Sequence, residues 1–122
     1  MDFKSEHSFE KRLIESQRIV SKYPDRVPII IQPGKKDIPA LDKCKYLVPH
    51  DLTMSQFLYV VRKKIPLQSS EQIFIFTSDQ KLPSTSHLLS QIYKEHKDKD
   101  GFLYLTYLKE NTFGLPTKRT NK

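Results

Sequence analysis

The sequence predicts an α+β fold in which helices pack against one mixed β-sheet. Segments with helical and strand character follow one another in the order helix, strand, strand, helix, strand, helix, strand, and no internal repeat is visible. The 122 residues suffice for one compact core but not for two. Apolar residues make up 37% of the chain and there are only 3 glycines, which excludes disordered, collagen-like and disulfide-scaffold compositions.

The first predicted elements are helices. From Ser8 to Lys22, apolar residues recur at near-helical spacing among alternating charges, and Ser8 can cap the first turn. Tyr23-Pro24 ends this helix because proline excludes helical geometry from the residue before it. The more polar segment from Met1 to His7 is expected to add a short helix.

Two strands are predicted next. Val27 to Gln32 is rich in β-branched residues and is bounded by Pro33-Gly34. Lys45 to Pro49 contains a second apolar run, so we expect a strand there and a charged loop between the two.

The remaining elements alternate between helix and strand. Thr53 to Lys64 has a cap followed by a helical pattern, which Pro66 ends. Ile73 to Phe76 predicts a short buried strand, and Leu88 to Tyr93 predicts a short helix. Phe102 to Tyr107 predicts a last strand, whose continuous apolar character favours a central position in the sheet.

The net charge limits the classes of partner that the chain is expected to bind. The net charge of +7, from 21 basic and 14 acidic residues, favours acidic partners such as nucleic acid, anionic headgroups or acidic peptides. Lysine-rich runs with aromatic residues between them could neutralise phosphates, but no nucleic-acid-binding signature accompanies them. No nucleic acid is therefore expected.

The cellular setting is predicted from the cysteine count and the first residues. The single cysteine, Cys44, excludes an internal disulfide and predicts a reducing, cytosolic environment. The first residues lack the apolar run of a signal peptide or membrane span, and Asp2 in place of glycine excludes N-myristoylation.

No convergent set of catalytic groups is visible. Cys44 lies between Lys43 and Lys45, whose ammonium groups could lower its pKa, but the plainer interpretation is an exposed thiol. The 4 histidines lack metal-ligand spacing and the 3 glycines form no phosphate loop. We therefore expect neither an enzyme nor a metal site.

The end of the chain carries the sharpest signal. Glu110 to Gly114 follows an apolar strand and precedes Leu115 to Lys122, a polar, basic segment with nothing to bury. Gly114 is thus expected on an extended segment just beyond the core, although a glycine in such a place is weak support for a function by itself. Because three positive charges lie after Gly114, the net charge up to that residue is +4 instead of +7.

Six blocks of this sequence closely resemble the autophagy-related protein 8 family, which includes GABARAP. They are Phe9-Glu10-Lys11-Arg12, Tyr23-Pro24-Asp25-Arg26-Val27-Pro28, Lys45-Tyr46-Leu47-Val48-Pro49, Asp51-Leu52-Thr53, Glu95 to Tyr104, and Glu110 to Gly114. The resemblance covers residues 3–114. It implies a ubiquitin-like β-grasp with two additional N-terminal helices: a helical extension (1–26), a core (27–108) and a flexible C-terminal tail (109–122).

The resemblance also implies a non-enzymatic role as a modifier in autophagy. A cysteine protease would cut the Gly114–Leu115 bond and remove the propeptide, Leu115 to Lys122. Activating and conjugating enzymes would then carry the chain as thioesters to phosphatidylethanolamine. The activating enzyme uses the ATP, so this chain itself is expected to need no cofactor. Lipidation would move it from the cytoplasm to autophagosomal and vacuolar or lysosomal membranes.

The family also binds short aromatic-x-x-aliphatic motifs of receptors and adaptors as an added strand. Position by position, the resemblance implies an aromatic pocket of Glu15, Ile19, Pro28, Lys45, Leu47 and Phe102. The implied aliphatic pocket comprises Tyr46, Val48, Pro49, Leu52, Phe57, Val60 and Val61. Acidic residues flanking the motif would meet Arg26, Lys43 and Lys45. For Leu47, Phe57 and Val60, core packing is an equally open interpretation.

The resemblance also bears on two phenylalanines and on the positions that depart from the family. Phe74 and Phe76 match positions that the processing and conjugation machinery recognises, with core packing as the competing interpretation. Departures such as Met54-Ser55 and Ser84 bear on partner preference. The alternative function is a trafficking or cytoskeletal adaptor that works without lipidation and whose N-terminal helices meet acidic partners.

Overall fold

The computed structural model describes residues 2–36, 38–68 and 70–109. Helices and strands follow one another along them in the predicted order, with the short first helix included. They are α1 (Phe3–Glu6), α2 (Phe9–Lys22), β1 (Arg26–Pro33), β2 (Lys45–Pro49), α3 (Met54–Lys64), β3 (Ile73–Thr77), α4 (Leu89–His96) and β4 (Leu103–Lys109).

The strands form one mixed sheet with the order β2-β1-β4-β3. β1 and β4 run parallel, whereas β2 and β3 pair antiparallel with β1 and β4 respectively. β4 therefore lies inside the sheet, as its apolar run predicted. Sheet and helices together confirm the α+β prediction.

Helices cover both faces of the sheet, which explains the unbroken apolar run of β1. Val27, Ile29 and Ile31 belong to the main core, which also contains the buried residues of α3 and α4. Ile30 points to the other face and is buried in a smaller cluster with residues of α1 and α2. Because both faces of β1 are buried, its sequence shows no polar alternation.

Capping side chains set the starts of the two longer helices. The Ser8 Oγ accepts a hydrogen bond from the Lys11 N–H at 3.2 Å, as its position in the sequence predicted. Thr53 and Gln56 form a reciprocal capping box at the start of α3, where the Thr53 Oγ1 accepts from the Gln56 N–H at 3.1 Å.

The prediction of a buried β3 is only half right. Ile73 and Ile75 lie in the core, but Phe74 and Phe76 point to the opposite face and are half-buried. β3 is an edge strand, whereas α2 on that face of the sheet packs over β1. Core packing therefore does not account fully for the two phenylalanines.

A buried carboxylate holds α2 against the sheet. Asp100 is fully buried, and its Oδ2 accepts from the Arg12 guanidinium at 2.6 Å and from the Tyr104 hydroxyl. The Ser16 hydroxyl of α2 donates to the Asp100 backbone carbonyl. Burial raises the pKa of Tyr104, and its hydrogen bond to Asp100 raises it further. Every charge in this cluster is thus paired inside the protein.

Asp100 also shifts the start of the last strand. The Phe102 N–H donates to Asp100 Oδ1 at 2.9 Å, so it is not available for a sheet hydrogen bond. β4 accordingly begins at Leu103, one residue later than predicted. Gly101 next to it has a φ of +93°, a conformation that favours glycine.

Candidate functional site

The outer edge of β2 is open. Within the part of the chain that the structure describes, β2 pairs with β1 alone. The Cys44 carbonyl accepts from the Ile31 N–H at 2.8 Å, and the His50 N–H donates to the Asp25 carbonyl at 2.9 Å. These two bonds fix the alternation of the backbone groups along the antiparallel pair.

The alternation turns the backbone groups of every second β2 residue outward. Tyr46 and Val48 face β1 with their backbone groups, whereas Lys45 and Leu47 present theirs to the open edge. Pro49, which has no N–H, occupies an outward position as well, where no ladder bond is lost. The Leu47 carbonyl accepts from the Arg26 guanidinium at 3.2 Å. The edge therefore offers the Lys45 and Leu47 N–H groups to a further strand.

On one face of this edge the structure brings the predicted aromatic-pocket residues together. Ile19 of α2 and Phe102 are buried in one cluster, and half-buried Leu47 packs against it. Pro28, which pairs with Leu47 across the strands, is also buried. Phe102 is fully buried, so it can act only as the floor of such a pocket.

An ion pair crosses the mouth of this region. The Lys45 ammonium of β2 binds the Glu15 carboxylate of α2, and both side chains remain partly exposed. Glu15 and Lys45 thus link the helix to the open strand at the place where an added strand would lie. Because the pair is solvent-accessible, its net contribution to stability is small.

All of the predicted aliphatic-pocket residues except Pro49 lie on the opposite face, and several belong to the core. Phe57 and Val61 of α3 are fully buried, and Tyr46 packs edge-on against Phe57 with 6.3 Å between ring centroids. Val48 is buried as well. Core packing accounts for these four residues in the free protein, because positions 57 and 61 lie on the helix face turned to the sheet.

Accessible surface among the predicted aliphatic-pocket residues comes from the remaining three. Pro49 is exposed, Leu52 is half-buried, and Val60 keeps 37% of its surface exposed. Of the three residues with two open interpretations, Phe57 lies in the core, whereas Leu47 and Val60 retain accessible surface. The assignment of a pocket stays a prediction.

The predicted acidic-flank contacts lie beside the open edge. Arg26 and Lys43 are exposed, and the Lys43 ammonium is 5.2 Å from the centroid of the Tyr46 ring. Together with Lys45 they give this end of the sheet a positive character.

Cys44 shows no sign of activation. Its side chain is half-buried, and burial raises the pKa of the thiol more than neighbouring Lys45 lowers it. A raised pKa keeps the sulfur protonated and therefore weakly nucleophilic.

The predicted cleavage and conjugation site falls outside the described residues. This applies to Gly114 and to the propeptide, Leu115 to Lys122, both of which stay predictions. Across residues 2–36, 38–68 and 70–109, no helix is long and apolar enough to cross a membrane.

The chain is similar to known proteins over most of its length. The model of the family described as "Autophagy protein Atg8 ubiquitin like" matches residues 11–114 of this chain. The chain belongs to the Atg8 family.

Curated relatives of the Atg8 family agree over most of the chain. Autophagy-related protein 8 of Schizosaccharomyces pombe is 60% identical over 113 residues, which cover 92% of this chain and 93% of the relative. Autophagy-related protein 8 of Mycosarcoma maydis is 59% identical over 113 residues, covering 92% of this chain and 95% of the relative.

A solved Atg8 structure has the same fold. The crystal structure of Trypanosoma brucei ATG8 superposes with a TM-score of 0.84 at 40% identity, covering 93% of this chain and 98% of that one. The ubiquitin-like fold with two N-terminal helices is thereby confirmed, as is the resemblance from which it was predicted. The Atg8 family connects the chain with autophagy and its conjugation machinery.

Sequence reasoning missed two parts of this candidate site. The first is the Glu15–Lys45 ion pair, since both residues were predicted but not their contact across 30 positions of sequence. The second is Asp100, which fixes α2 and hence one wall of the aromatic-pocket region. A lone aspartate before a glycine gives no signal in one sequence that it will be fully buried.

Proposed function

We propose that this Atg8-family chain is a ubiquitin-like modifier that is trimmed to Gly114, joined to phosphatidylethanolamine and then bound by short aromatic-x-x-aliphatic peptides. It performs no catalysis itself. The observation that carries the proposal is the open β2 edge, which has an α2-lined apolar region on one face and α3 on the other.

The peptide binds as a further strand on β2. The outward N–H groups of Lys45 and Leu47 supply main-chain hydrogen bonds, which are independent of the peptide's sequence. Alternate side chains of an added strand point to opposite faces of the sheet. In an aromatic-x-x-aliphatic motif the two anchors therefore reach opposite sides, where Leu47 and Val60 offer accessible apolar surface.

Acidic residues next to the motif meet the cations of this edge. Arg26 and Lys43 are exposed, and Lys45 exchanges its Glu15 partner for a peptide carboxylate. Charge complementarity of this kind favours association and selects acidic partners over basic ones.

Lipidation follows from the family relation and from the chemistry of Gly114. A carboxyl group on glycine has no β-carbon to hinder its passage through a narrow enzyme channel or its attack by an amine. Phosphatidylethanolamine brings two acyl chains, and at about 0.8 kcal/mol per buried CH₂ they anchor the protein stably where one chain is marginal. The thioester sulfurs belong to the partner enzymes, so Cys44 is not needed.

Calorimetry tests the peptide-binding half of the proposal. An acidic aromatic-x-x-Leu peptide should bind with micromolar affinity, about −8 kcal/mol. Leu47→Ala should weaken binding at least about tenfold, whereas Leu82→Ala, an exposed leucine outside the edge, should not. Equal affinities for both variants would contradict the assignment of the β2 edge.

A reconstituted reaction tests the lipidation half. Activating enzyme, conjugating enzyme, ATP and phosphatidylethanolamine liposomes are combined with the full chain, the chain ending at Gly114, or the latter with Gly114→Ala. Intact mass should show a lipid adduct on the chain ending at Gly114 alone. An adduct on the uncut chain would contradict the trimming step, and no adduct on any of the three would favour the adaptor that works without lipidation.

A further inference from the structure

A groove runs along the flank of α2 that faces away from the open β2 edge. Leu13, Gln17 and Val20 line it from α2, and residues of α4 and of the following turn line the other side. Residues 13, 17 and 20 recur at helical spacing and form one stripe, which lies roughly opposite Glu15 on the helix. The groove has a volume of about 800 Å³, within the range of ligand-binding clefts.

The floor of the groove is apolar and already formed. Val20 keeps 40% of its surface exposed, beside half-buried Leu13 and the ring of Tyr93. The Tyr93 hydroxyl donates to the Gly101 carbonyl at 2.7 Å, which fixes the ring. A ligand therefore finds a rigid apolar surface and spends little free energy on ordering it.

The rim of the groove is positively charged. Lys97 and Lys99 line it and are exposed, and within the described residues neither lies within salt-bridge distance of a carboxylate. The nearby carboxylates are already engaged, since Asp98 binds Lys4 at 2.7 Å and Asp100 is buried with its own partners. The Lys97 ammonium lies over the Tyr93 ring, 5.4 Å from its centroid, so the rim places cationic charge directly beside the apolar floor.

We propose that this groove is a second docking site, which takes a peptide segment with an aliphatic side chain flanked by carboxylates. The aliphatic side chain covers Leu13 and Val20, and the carboxylates pair with Lys97 and Lys99. The apolar floor explains the aliphatic anchor and the cationic rim explains the acidic flanks. Because α2 separates this groove from the β2 edge, both surfaces can be occupied at the same time.

An amide NMR titration with a defined probe tests the proposal. The probe is acetyl-Glu-Glu-Ile-Leu-Glu-Glu-amide, and its charge-reversed control is acetyl-Lys-Lys-Ile-Leu-Lys-Lys-amide. The acidic probe should shift the amide resonances of Val20, Tyr93 and Lys97, and should still do so when an aromatic-x-x-Leu peptide saturates the β2 edge. The basic control should cause no such shifts.

Two matched variants locate the site. Val20→Glu places a carboxylate in the groove and should lower the affinity for the acidic probe at least about tenfold. Ile14→Glu makes the same kind of change on the same helix at a residue that is 61% exposed and outside the groove, and should leave affinity unchanged. Replacing both Lys97 and Lys99 by Gln leaves the apolar floor intact and should also lower the affinity for the acidic probe.

Four results would overturn the proposal. They are equal affinities for the two glutamate variants, displacement of the probe by the aromatic peptide, shifts confined to Lys45 and Leu47, or no shifts at millimolar probe. The protein could instead bind vesicles of phosphatidylcholine and phosphatidylserine but not the probe. If Val20→Glu then weakened vesicle binding, the groove would be a membrane contact. Failure of the aromatic peptide to bind would count against the β2 edge alone.

Discussion

At the scale of single residues, we expect the Glu15–Lys45 ion pair to control how the open edge meets an acidic peptide. Lys45 is the one cation of this edge that the structure shows bound to a carboxylate of the protein itself within residues 2–36, 38–68 and 70–109. An acidic peptide bound there would compete with Glu15 for Lys45. The pair is partly exposed, so ions in solution screen it.

Reversing the charge of Lys45 should change the affinity for an acidic peptide in a salt-dependent way. Lys45→Glu should weaken binding of an acidic aromatic-x-x-Leu peptide, and Glu15→Gln should strengthen it because Lys45 then lacks its internal partner. Calorimetry at low and at physiological salt should show a smaller effect at the higher salt, where screening acts over about 8 Å. Lys94→Glu on α4 serves as the control for net charge. Identical affinities for Lys45→Glu and the parent at low salt would refute this role.

At the scale of elements, α2 depends on the buried Asp100 cluster for its position. Arg12→Ala removes the cation and leaves a buried carboxylate without it, so unfolding free energy should fall by about 3 kcal/mol. The matched control is Lys4→Ala, which breaks the half-exposed Lys4–Asp98 pair and should cost at most about 1 kcal/mol. Urea unfolding of both variants measures the difference. Similar losses would mean that the Asp100 cluster does not hold α2.

The elements differ in how much of them the sequence predicts. β2 and α3 were predicted with their observed bounds because Pro49, the Thr53 cap and Pro66 punctuate the chain locally. The start of β4 was missed because the Asp100 side chain takes the Phe102 N–H, a choice that depends on tertiary burial. The sequence left open whether Phe74 and Phe76 of β3 pack in the core, because an apolar run does not reveal which residues of an edge strand the helices cover.

The candidate site was likewise only partly predictable from the sequence. The resemblance identified its residues, and the strand pattern placed Lys45 to Pro49 on one strand. The sequence did not show which of the predicted contact residues belong to the core. Phe57 and Val60 are both apolar, and they differ only in their position around α3.

At the scale of the whole molecule, four tyrosines make the free energy of unfolding depend on pH in the alkaline range. Burial is the main cause that raises the pKa values of Tyr46, Tyr93, Tyr104 and Tyr107 above the ordinary value of 10.0. Because the folded pKa exceeds the unfolded one, the corresponding stability is fully present below pH 10 and is lost as pH rises through the folded pKa values.

Phenolate absorbance and unfolding should therefore be coupled. A pH titration followed by phenolate absorbance and by circular dichroism should show these four phenols ionising together with the loss of structure. The free energy of unfolding should decrease as the pH is raised above about 10. Reversible ionisation of all four phenols near pH 10 in a protein that stays folded would contradict the burial of these side chains.

We propose above that partners add a strand to β2. Amide hydrogen exchange measured by NMR, with and without an aromatic-x-x-Leu peptide, tests it most directly. The amides of Tyr46 and Val48 face β1 and should exchange slowly in both states, whereas those of Lys45 and Leu47 should exchange fast in the free protein and slow down in the complex. Slowing along β3, or unchanged exchange at Lys45 and Leu47 in a peptide-saturated protein, would contradict the claim.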